Sequence, residues 1–216
     1  MSDSVTCQFY TKIGACRHGE KCSRRHIKPT HSRTIIMTNL YQNPEVEFQP
    51  RRKTDTEEDT EQTQPTRPTL PKKEIEEQFE AFYKDIFVEC ALIGEVDEIT
   101  VCENHNDHLN GNTYVRFRTE DAAQRARDSF SSRWYNGRPV YCDLSPVGDL
   151  RDASCRQHDT QSCERGGMCN FMHVKRPSRA LLKQLKLSQR KFYEDQYKNK
   201  TTTNQPEESK VENVRV

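Results

Sequence analysis

The sequence predicts an α+β protein whose central domain has the element order βαββαβ and lies between two small metal-binding modules, with a further helix after the second module. Two sets of three cysteines and one histidine bracket the central stretch. Between them, apolar residues recur every three to four positions in two segments and follow strand-like patterns in four others.

Composition limits the kind of protein this can be. The chain has 216 residues, of which 32% are hydrophobic and 31% charged, so it has room for one ordinary domain and small modules. No apolar run approaches the roughly 20 residues of a membrane span, and the N-terminus lacks a signal-peptide core. We therefore expect a soluble intracellular protein without a membrane partner, whose nine cysteines are metal ligands or buried thiols rather than disulfides.

Charge is segregated along the chain although the net charge is only +1. Basic residues predominate in residues 1–33 and 148–191. Residues 74–103 instead contain ten acidic residues and a single basic one, Lys84. Basic ends and an acidic middle favour two different partners.

The central domain is expected to span residues 33–147. It opens with the β-favouring run RTIIMTNLY at 33–41. Residues 43–73 are rich in Pro, Thr and charge without periodicity, which predicts a flexible insertion. From residue 74, apolar positions at helical spacing predict an amphipathic helix with an acidic outer face. These positions are Ile75, Phe79, Phe82, Tyr83, Ile86, Phe87 and Cys90.

The rest of the domain alternates strands with a second helix. VDEITVCE (96–103) and NTYVRFR (112–118) alternate as half-buried strands, and TEDAAQRARDSF (119–130) predicts a helix capped by Thr119. An Asn-Gly pair then turns the chain into the last strand, RPVYCDLSP. This order is shared by ferredoxin-like folds and RNA-recognition motifs, so we expect an RNA-recognition-motif-like βαββαβ sandwich.

Three cysteines stand apart from the metal-binding sets and are predicted core residues: Cys90, Cys102 and Cys142. After the second module, residues 178–198 predict a basic helix, and residues 199–216 predict a disordered tail.

Both metal-binding sets have the ligand order and spacing of a closed zinc site. The first module (5–30) has the spacing C-x8-C-x5-C-x3-H and the second (149–176) has C-x7-C-x5-C-x3-H. The ligands are Cys7, Cys16, Cys22 and His26 in the first set and Cys155, Cys163, Cys169 and His173 in the second. Three thiolates and an imidazole suit tetrahedral Zn²⁺, which would fold each short segment. We expect two structural zinc ions and no enzyme, since no open metal position or catalytic motif is present.

Aromatic and basic residues surround these ligands, as single-stranded RNA recognition requires. Aromatic rings can stack on unpaired bases, and Arg and Lys contact phosphates and base edges. The candidates are Phe9, Tyr10, Arg17, Lys21, Ser23, Arg24, Arg25 and Lys28 in the first module and Arg151, Arg156, Gln157, Arg165, Asn170 and Phe171 in the second. Ser23 and Gln157 are equally compatible with a cap or turn. The ligand order and spacing resemble the RNA-binding CCCH zinc fingers, which implies RNA binding. The alternative is that both zinc modules only stabilise the fold.

The central domain departs from the RNA-binding pattern of RNA-recognition motifs. Its third strand reads NGNTYVRF, so that Asn110 replaces the usual basic residue and Asn112 the first aromatic. On the first strand, Ile36 stands where an aromatic is usual. Only Tyr114 remains of the stacking residues, and the domain is therefore expected to bind a protein instead of RNA.

Two features supply a candidate protein-binding surface. They are the acidic helix, with Glu76, Glu77 and Glu80, and the loop RWYNGRP, with Arg133, Trp134 and Tyr135. Trp134 is the only tryptophan, and two interpretations stay open at this point: a residue at the edge of the core, or an interface anchor of the kind common in binding hot spots.

These features together resemble the U2AF homology motif, a protein-binding variant of the RNA-recognition motif. That family usually has Arg-x-Phe where this chain has Arg133-Trp134-Tyr135. With a CCCH finger on each side, residues 5 to about 185 resemble the small subunits of the U2 auxiliary factor. The resemblance implies a nuclear pre-mRNA splicing factor that recognises the 3′ splice-site AG and helps recruit the U2 snRNP. It also implies a heterodimer with the large subunit, in which a partner tryptophan enters the pocket and Trp134 enters a groove on the partner.

Two other functions remain open from the sequence, a zinc-stabilised protein-interaction scaffold without RNA binding and a CCCH protein of messenger RNA turnover. No small-molecule substrate is expected. Because the first and last strands of a βαββαβ sheet are antiparallel neighbours, both fingers should lie at one end of the sheet. This predicts one RNA surface in two halves.

Overall fold

The computed structural model of the chain describes residues 5–44, 46 and 70–203. Most of the predicted insertion and the tail beyond residue 203 lie outside these residues. In chain order the elements are α1 (Gln8–Ile13), β1 (Thr34–Thr38), α2 (Lys72–Ile93), β2 (Val96–Cys102), β3 (Thr113–Phe117), α3 (Glu120–Phe130), β4 (Trp134–Tyr135), β5 (Arg138–Pro139), β6 (Tyr141–Leu144), α4 (Leu150–Ala153), α5 (Arg156–Asp159), β7 (Val174–Lys175) and α6 (Arg179–Thr203).

The predicted α+β fold is confirmed. An antiparallel sheet has the strand order β6-β1-β3-β2-β7. Helices α2 and α3 cover one face of it, where alternate strand residues such as Ile35 and Val115 join the main core. Ile35 pairs with Leu144, so the start of β1 adjoins the end of β6 as predicted. Both fingers therefore connect to the same end of this strand pair.

Buried cysteines and a helix cap agree with the sequence analysis. Cys90 and Cys102 are fully buried, and Cys142 packs partly buried against the main core. Burial raises the pKa of the Cys142 thiol to about 12. Thr119 accepts a hydrogen bond from the backbone N–H of Ala122 and caps α3.

Three boundaries differ from the prediction. Helix α2 begins at Lys72, so two residues assigned to the insertion are helical. The segment predicted as the last strand is divided: Asn136 and Gly137 adopt left-handed backbone conformations and pair β4 with β5 in a separate hairpin, and only β6 joins the sheet. Residues 199–203, predicted to be disordered, extend α6, because adding a residue to an existing helix needs little further ordering.

Helix α6 packs against the first residue of β2 and against α2. Leu185 is buried in the main core, and the Gln189 side chain hydrogen-bonds both the N–H (2.9 Å) and the C=O (3.0 Å) of Val96. The Tyr193 hydroxyl donates to the carbonyl of Ala91 on α2 (2.8 Å). No helix among the described residues is long and apolar enough to cross a bilayer.

Candidate metal sites and nucleic-acid interface

Each predicted ligand set is assembled into one compact cluster, with its ligand atoms within 4.8 Å of one another. In the first cluster the sulfur of Cys16 lies 3.7 Å from that of Cys7 and 3.8 Å from that of Cys22. In the second, Cys155 lies 3.8 Å from both other sulfurs. A tetrahedral ion with Zn–S bonds of about 2.3 Å places its sulfurs about 3.8 Å apart. The sulfur geometry therefore fits zinc.

Each cluster also offers a histidine nitrogen that is free to bind a metal ion. Nε2 of His26 and Nε2 of His173 are buried and have no hydrogen-bond partner among the described residues. Burial, with the positive charges of His158 and Arg165, lowers the pKa of His173 to about 4. The neutral imidazole, the form that binds metal, is therefore the one present at neutral pH.

The two metal-binding modules, here called finger 1 (5–30) and finger 2 (149–176), are built on the same backbone plan. In each, the first cysteine donates its N–H to the carbonyl of the residue before the ligand histidine, at 2.9 Å from Cys7 to Arg25 and at 2.8 Å from Cys155 to Met172. Equivalent glycines, Gly19 and Gly166, have φ angles of 48° and 50°. Such angles are strained for other residues, so glycine permits the tight turn before the third cysteine.

An aromatic ring stacks on the ligand histidine in both fingers. Tyr10 stacks on His26 at 4.4 Å, and His158 stacks on His173 at 4.0 Å. Tyr10 and His158 each lie three positions after the first cysteine. One face of Tyr10, predicted to stack on RNA, is therefore used inside the finger. His158 was not predicted from the sequence, although it occupies the same position in the second module as Tyr10 does in the first.

The fingers cover the sheet face opposite α2 and α3. Ile13 of finger 1 and Leu150 and Met172 of finger 2 form a second core with Ile36 and Tyr114 of the sheet. Tyr114 is fully buried, and its hydroxyl donates to the carbonyl of Ile13 at 2.8 Å. The one aromatic left at an RNA-stacking position is thus a docking residue for the fingers.

Finger 2 is also joined to the sheet by hydrogen bonds. Its strand β7 pairs with β2 as a fifth strand, which the sequence analysis did not predict. The buried Asn104 accepts from the His173 N–H (2.8 Å) and donates to the carbonyls of Cys169 and Phe171 (both 3.0 Å). Asn106 donates to the Cys169 carbonyl at 2.7 Å.

A groove of about 290 Å³, here called the finger groove, opens beside the first cluster. Besides cluster residues it is lined by side chains from three parts of the protein. These are Phe9, Ala15, Arg17, His18, Ser23 and Arg24 of finger 1, His108 of the β2–β3 loop and Asn170 of finger 2. Phe9 is 45% exposed, which leaves its ring available for stacking.

The remaining RNA candidates do not line the finger groove. Lys21, Arg25, Arg151 and Arg156 are exposed on the surface of the fingers. Arg165 donates to the side-chain oxygen of Gln157 at 2.9 Å, and Lys28 pairs with Asp143 at 2.7 Å. Phe171 is half-buried, with Nζ of Lys12 5.6 Å from its ring centre.

Two polar residues of the groove were not among the sequence-based candidates: His18, which follows Arg17, and, far along the chain, His108. His108 lies in the loop between two strands, where no local pattern distinguishes it from the histidine three positions earlier. Burial lowers the pKa of His108; the negative charge of Asp107 opposes this effect, and Arg17 and His18 add to it. Only the packing of that loop against finger 1 reveals its position.

The candidate protein-binding surface lies on α2 and the β4–β5 hairpin. Arg133 pairs with Glu89 of α2 at 2.8 Å, and the ring of Tyr135 packs edge-on against Phe82. Trp134 is 70% exposed, so its interpretation as a core residue is wrong. The exposed Val88 lies next to Glu89 on the same helix.

The acidic residues predicted for the same surface divide into two groups. Glu76 and Glu77 are exposed. Glu80 instead accepts a hydrogen bond from the Ser178 N–H at 3.0 Å, and the Ser178 hydroxyl in turn accepts from the N–H of Leu181 in the first turn of α6. Glu80 therefore helps hold α6 against α2 and is not part of a free acidic face.

A βαββαβ domain with two Cys₃His fingers docked on one face of its sheet defines a CCCH zinc-finger protein built on an RNA-recognition-motif-like fold. Residues 2–28 match the family "Zinc finger C-x8-C-x5-C-x3-H type (and similar)". The chain is 52% identical to the splicing factor U2AF 23 kDa subunit of Schizosaccharomyces pombe over 88% of its own length and 80% of that protein. It is 45% identical to the U2AF 38 kDa subunit of Drosophila melanogaster (85% and 66%) and to the U2AF 26 kDa subunit of Rattus norvegicus (85% and 78%). The chain belongs to the family of U2AF small subunits, which are splicing factors.

Proposed function

We propose that this protein recognises the AG at the 3′ splice site of pre-mRNA in the nucleus, as the small subunit of a U2 auxiliary factor heterodimer that helps recruit the U2 snRNP. Each finger holds one structural zinc ion. The fingers act together as a single RNA surface, and the hairpin side of the central domain binds the large subunit.

The finger groove carries this proposal. It combines a half-exposed aromatic ring, Phe9, with the guanidinium groups of Arg17 and Arg24, which is the chemistry used to hold an unpaired base and its phosphate. Asn170 brings finger 2 to the same groove. The fingers cover the sheet face on which RNA-recognition motifs bind RNA, so in this protein the fingers themselves bind it.

The surface around Trp134 supports the proposed heterodimer. Arg133 and Tyr135 are fixed against α2, whereas the tryptophan between them is 70% exposed. A large exposed aromatic held in place by its neighbours loses little conformational freedom on binding, and tryptophan and arginine are enriched in binding hot spots.

RNA recognition is tested by fluorescence anisotropy with the full chain, at two zinc ions per chain, and short uridine-rich RNAs with and without one AG. We expect tighter binding to the AG RNA and a loss of about tenfold in Arg24→Ala, since an arginine contact to nucleic acid is worth roughly 1–3 kcal/mol. Arg125→Ala, on α3 away from the fingers, is the matched control. Equal affinity of the wild-type chain for both RNAs would refute the recognition of AG, and no measurable binding to either RNA would favour the scaffold function.

The heterodimer is tested by measuring the affinity of the full chain for the large subunit. Trp134→Ala should weaken binding by at least tenfold, because truncating a hot-spot residue typically costs about 2 kcal/mol or more. Tyr141→Ala, which removes a similarly exposed aromatic from β6, should bind normally. A Trp134→Ala protein that pairs normally would refute the assigned surface.

A further inference from the structure

We propose that His108 contacts a base of the RNA held in the finger groove and helps to select it, so that the central domain itself takes part in reading the sequence. This inference rests on the proposed function. It adds a residue that belongs to neither finger.

The loop that carries His108 is fixed in place on both sides of it. Leu109 is fully buried in the second core, and its N–H donates to the side-chain oxygen of Asn106 at 3.0 Å. On the other side, the Asn112 side chain donates to the carbonyl of His108 at 2.8 Å and accepts from the N–H of Asn39 at 3.0 Å. The imidazole is therefore presented by a rigid backbone, which reduces the entropy lost on binding.

Asn112, which helps to fix this loop, is also one of the residues at which the third strand departs from the RNA-binding pattern. It stands where the third strand of an RNA-binding motif has its first aromatic, and it is buried. Its side chain ties the end of β1 to the loop that carries His108. Asn112, which stands in place of a stacking ring, thus holds the backbone that presents His108 to the finger groove.

The chemistry of the finger groove suits a division of roles. Arg17 and Arg24 provide charge for a phosphate, and Phe9 provides a stacking ring. A neutral imidazole has one nitrogen that donates and one that accepts, so His108 can recognise the edge of a base. At about 290 Å³ the groove is close in volume to the smallest small-ligand pockets, which fits a single nucleotide.

The test compares His108→Ala with His105→Ala, the same substitution on the same loop. His105 is exposed and lies against Gly167 of finger 2, away from the finger groove. Affinities are measured for the AG RNA and for a uridine-only RNA of equal length, with zinc content and Tm checked for each variant. His108→Gln, which keeps a donor and an acceptor, is included as a conservative variant.

We expect His108→Ala to bind the AG RNA about three- to tenfold more weakly, the loss typical of one hydrogen bond, with little change for the uridine-only RNA. His105→Ala should keep the full preference for AG, and His108→Gln should regain part of it. An unchanged preference in a His108→Ala chain that retains two zinc ions would overturn the inference while leaving the proposed function standing. An equal loss in His105→Ala would show that the loop acts through its shape, and would also overturn it. A wild-type chain without preference for AG would instead refute the proposed function.

Discussion

The two fingers share one internal design but are attached to the central domain in different ways. Finger 2 contributes β7 to the sheet, and Asn104 and Asn106 hold the backbone around its third cysteine. Finger 1 is held by the packing of Ile13 in the second core, by the hydroxyl of Tyr114 and by the exposed ion pair of Lys28 with Asp143 on β6. Finger 2 is therefore a part of the central domain, whereas finger 1 is a module docked onto it.

The same metal geometry therefore has two structural roles in this chain. Loss of the metal from finger 1 should release a small module and leave the sheet intact. Loss of the metal from finger 2 should also remove strand β7 from the sheet and leave the side-chain amides of Asn104 and Asn106 without their partners. The free energy of unfolding should therefore fall more than it does when finger 1 loses its metal.

The largest expected effect comes from removing one ligand from each finger. Cys169→Ser and Cys16→Ser should each lose one zinc ion per chain, but Cys169→Ser should destabilise the central domain by at least about 3 kcal/mol more, because several buried hydrogen bonds are lost with finger 2. Zinc content by mass spectrometry and urea unfolding followed by circular dichroism check this. Equal losses of stability would show that the fingers are attached equivalently.

A smaller effect is expected from Asn104→Ala, which keeps every ligand. The substitution leaves the Cys169 and Phe171 carbonyls and the His173 N–H without the amide, and should cost about 2–4 kcal/mol in the free energy of unfolding. The control is Asn110→Ala on the same loop, since the side-chain oxygen of Asn110 has no partner among the described residues. If both variants unfold at the same urea concentration, Asn104 does not hold finger 2.

The smallest effect is expected on the finger 1 side. Tyr114→Phe removes the hydroxyl that bonds the Ile13 carbonyl and should cost about 1 kcal/mol, because the ring itself remains packed. Tyr141→Phe, on an exposed tyrosine, serves as the control in the same unfolding experiment. A cost as large as that of Asn104→Ala would mean that finger 1 depends on its buried polar contact as strongly as finger 2 depends on Asn104.

The sequence predicted features that depend on local spacing. Ligand sets are read from cysteine and histidine positions, and the structure brings each set together. The βαββαβ order is read from hydrophobic periodicity, and it was confirmed. The docking of the fingers could not be predicted in this way, since Asn104 and its partner Cys169 are 65 positions apart. Strand β7 has only two residues, too few to show a period.

The candidate site was predicted only in part for the same reason. Three groove residues lie within two positions of a ligand of finger 1: Phe9, Arg17 and Arg24. Because aromatic and basic side chains can contact RNA, the sequence alone made them RNA candidates. His108 lies far along the chain and reaches the groove only through the packing of its loop. Conversely, Tyr114 is of a type that suggests RNA stacking, but the docking of the fingers buries it.

The central claim is that the fingers form one RNA surface, and a double-mutant cycle tests it most directly. Arg24 of finger 1 and Asn170 of finger 2 line the same groove. The affinity of the full chain for the AG RNA is measured for Arg24→Ala, Asn170→Ala and the double variant. Residues that share one binding site should be coupled by about 0.5 kcal/mol or more, which is the result we predict. Additive losses, within about 0.3 kcal/mol, would show that the fingers bind RNA independently and would contradict the account.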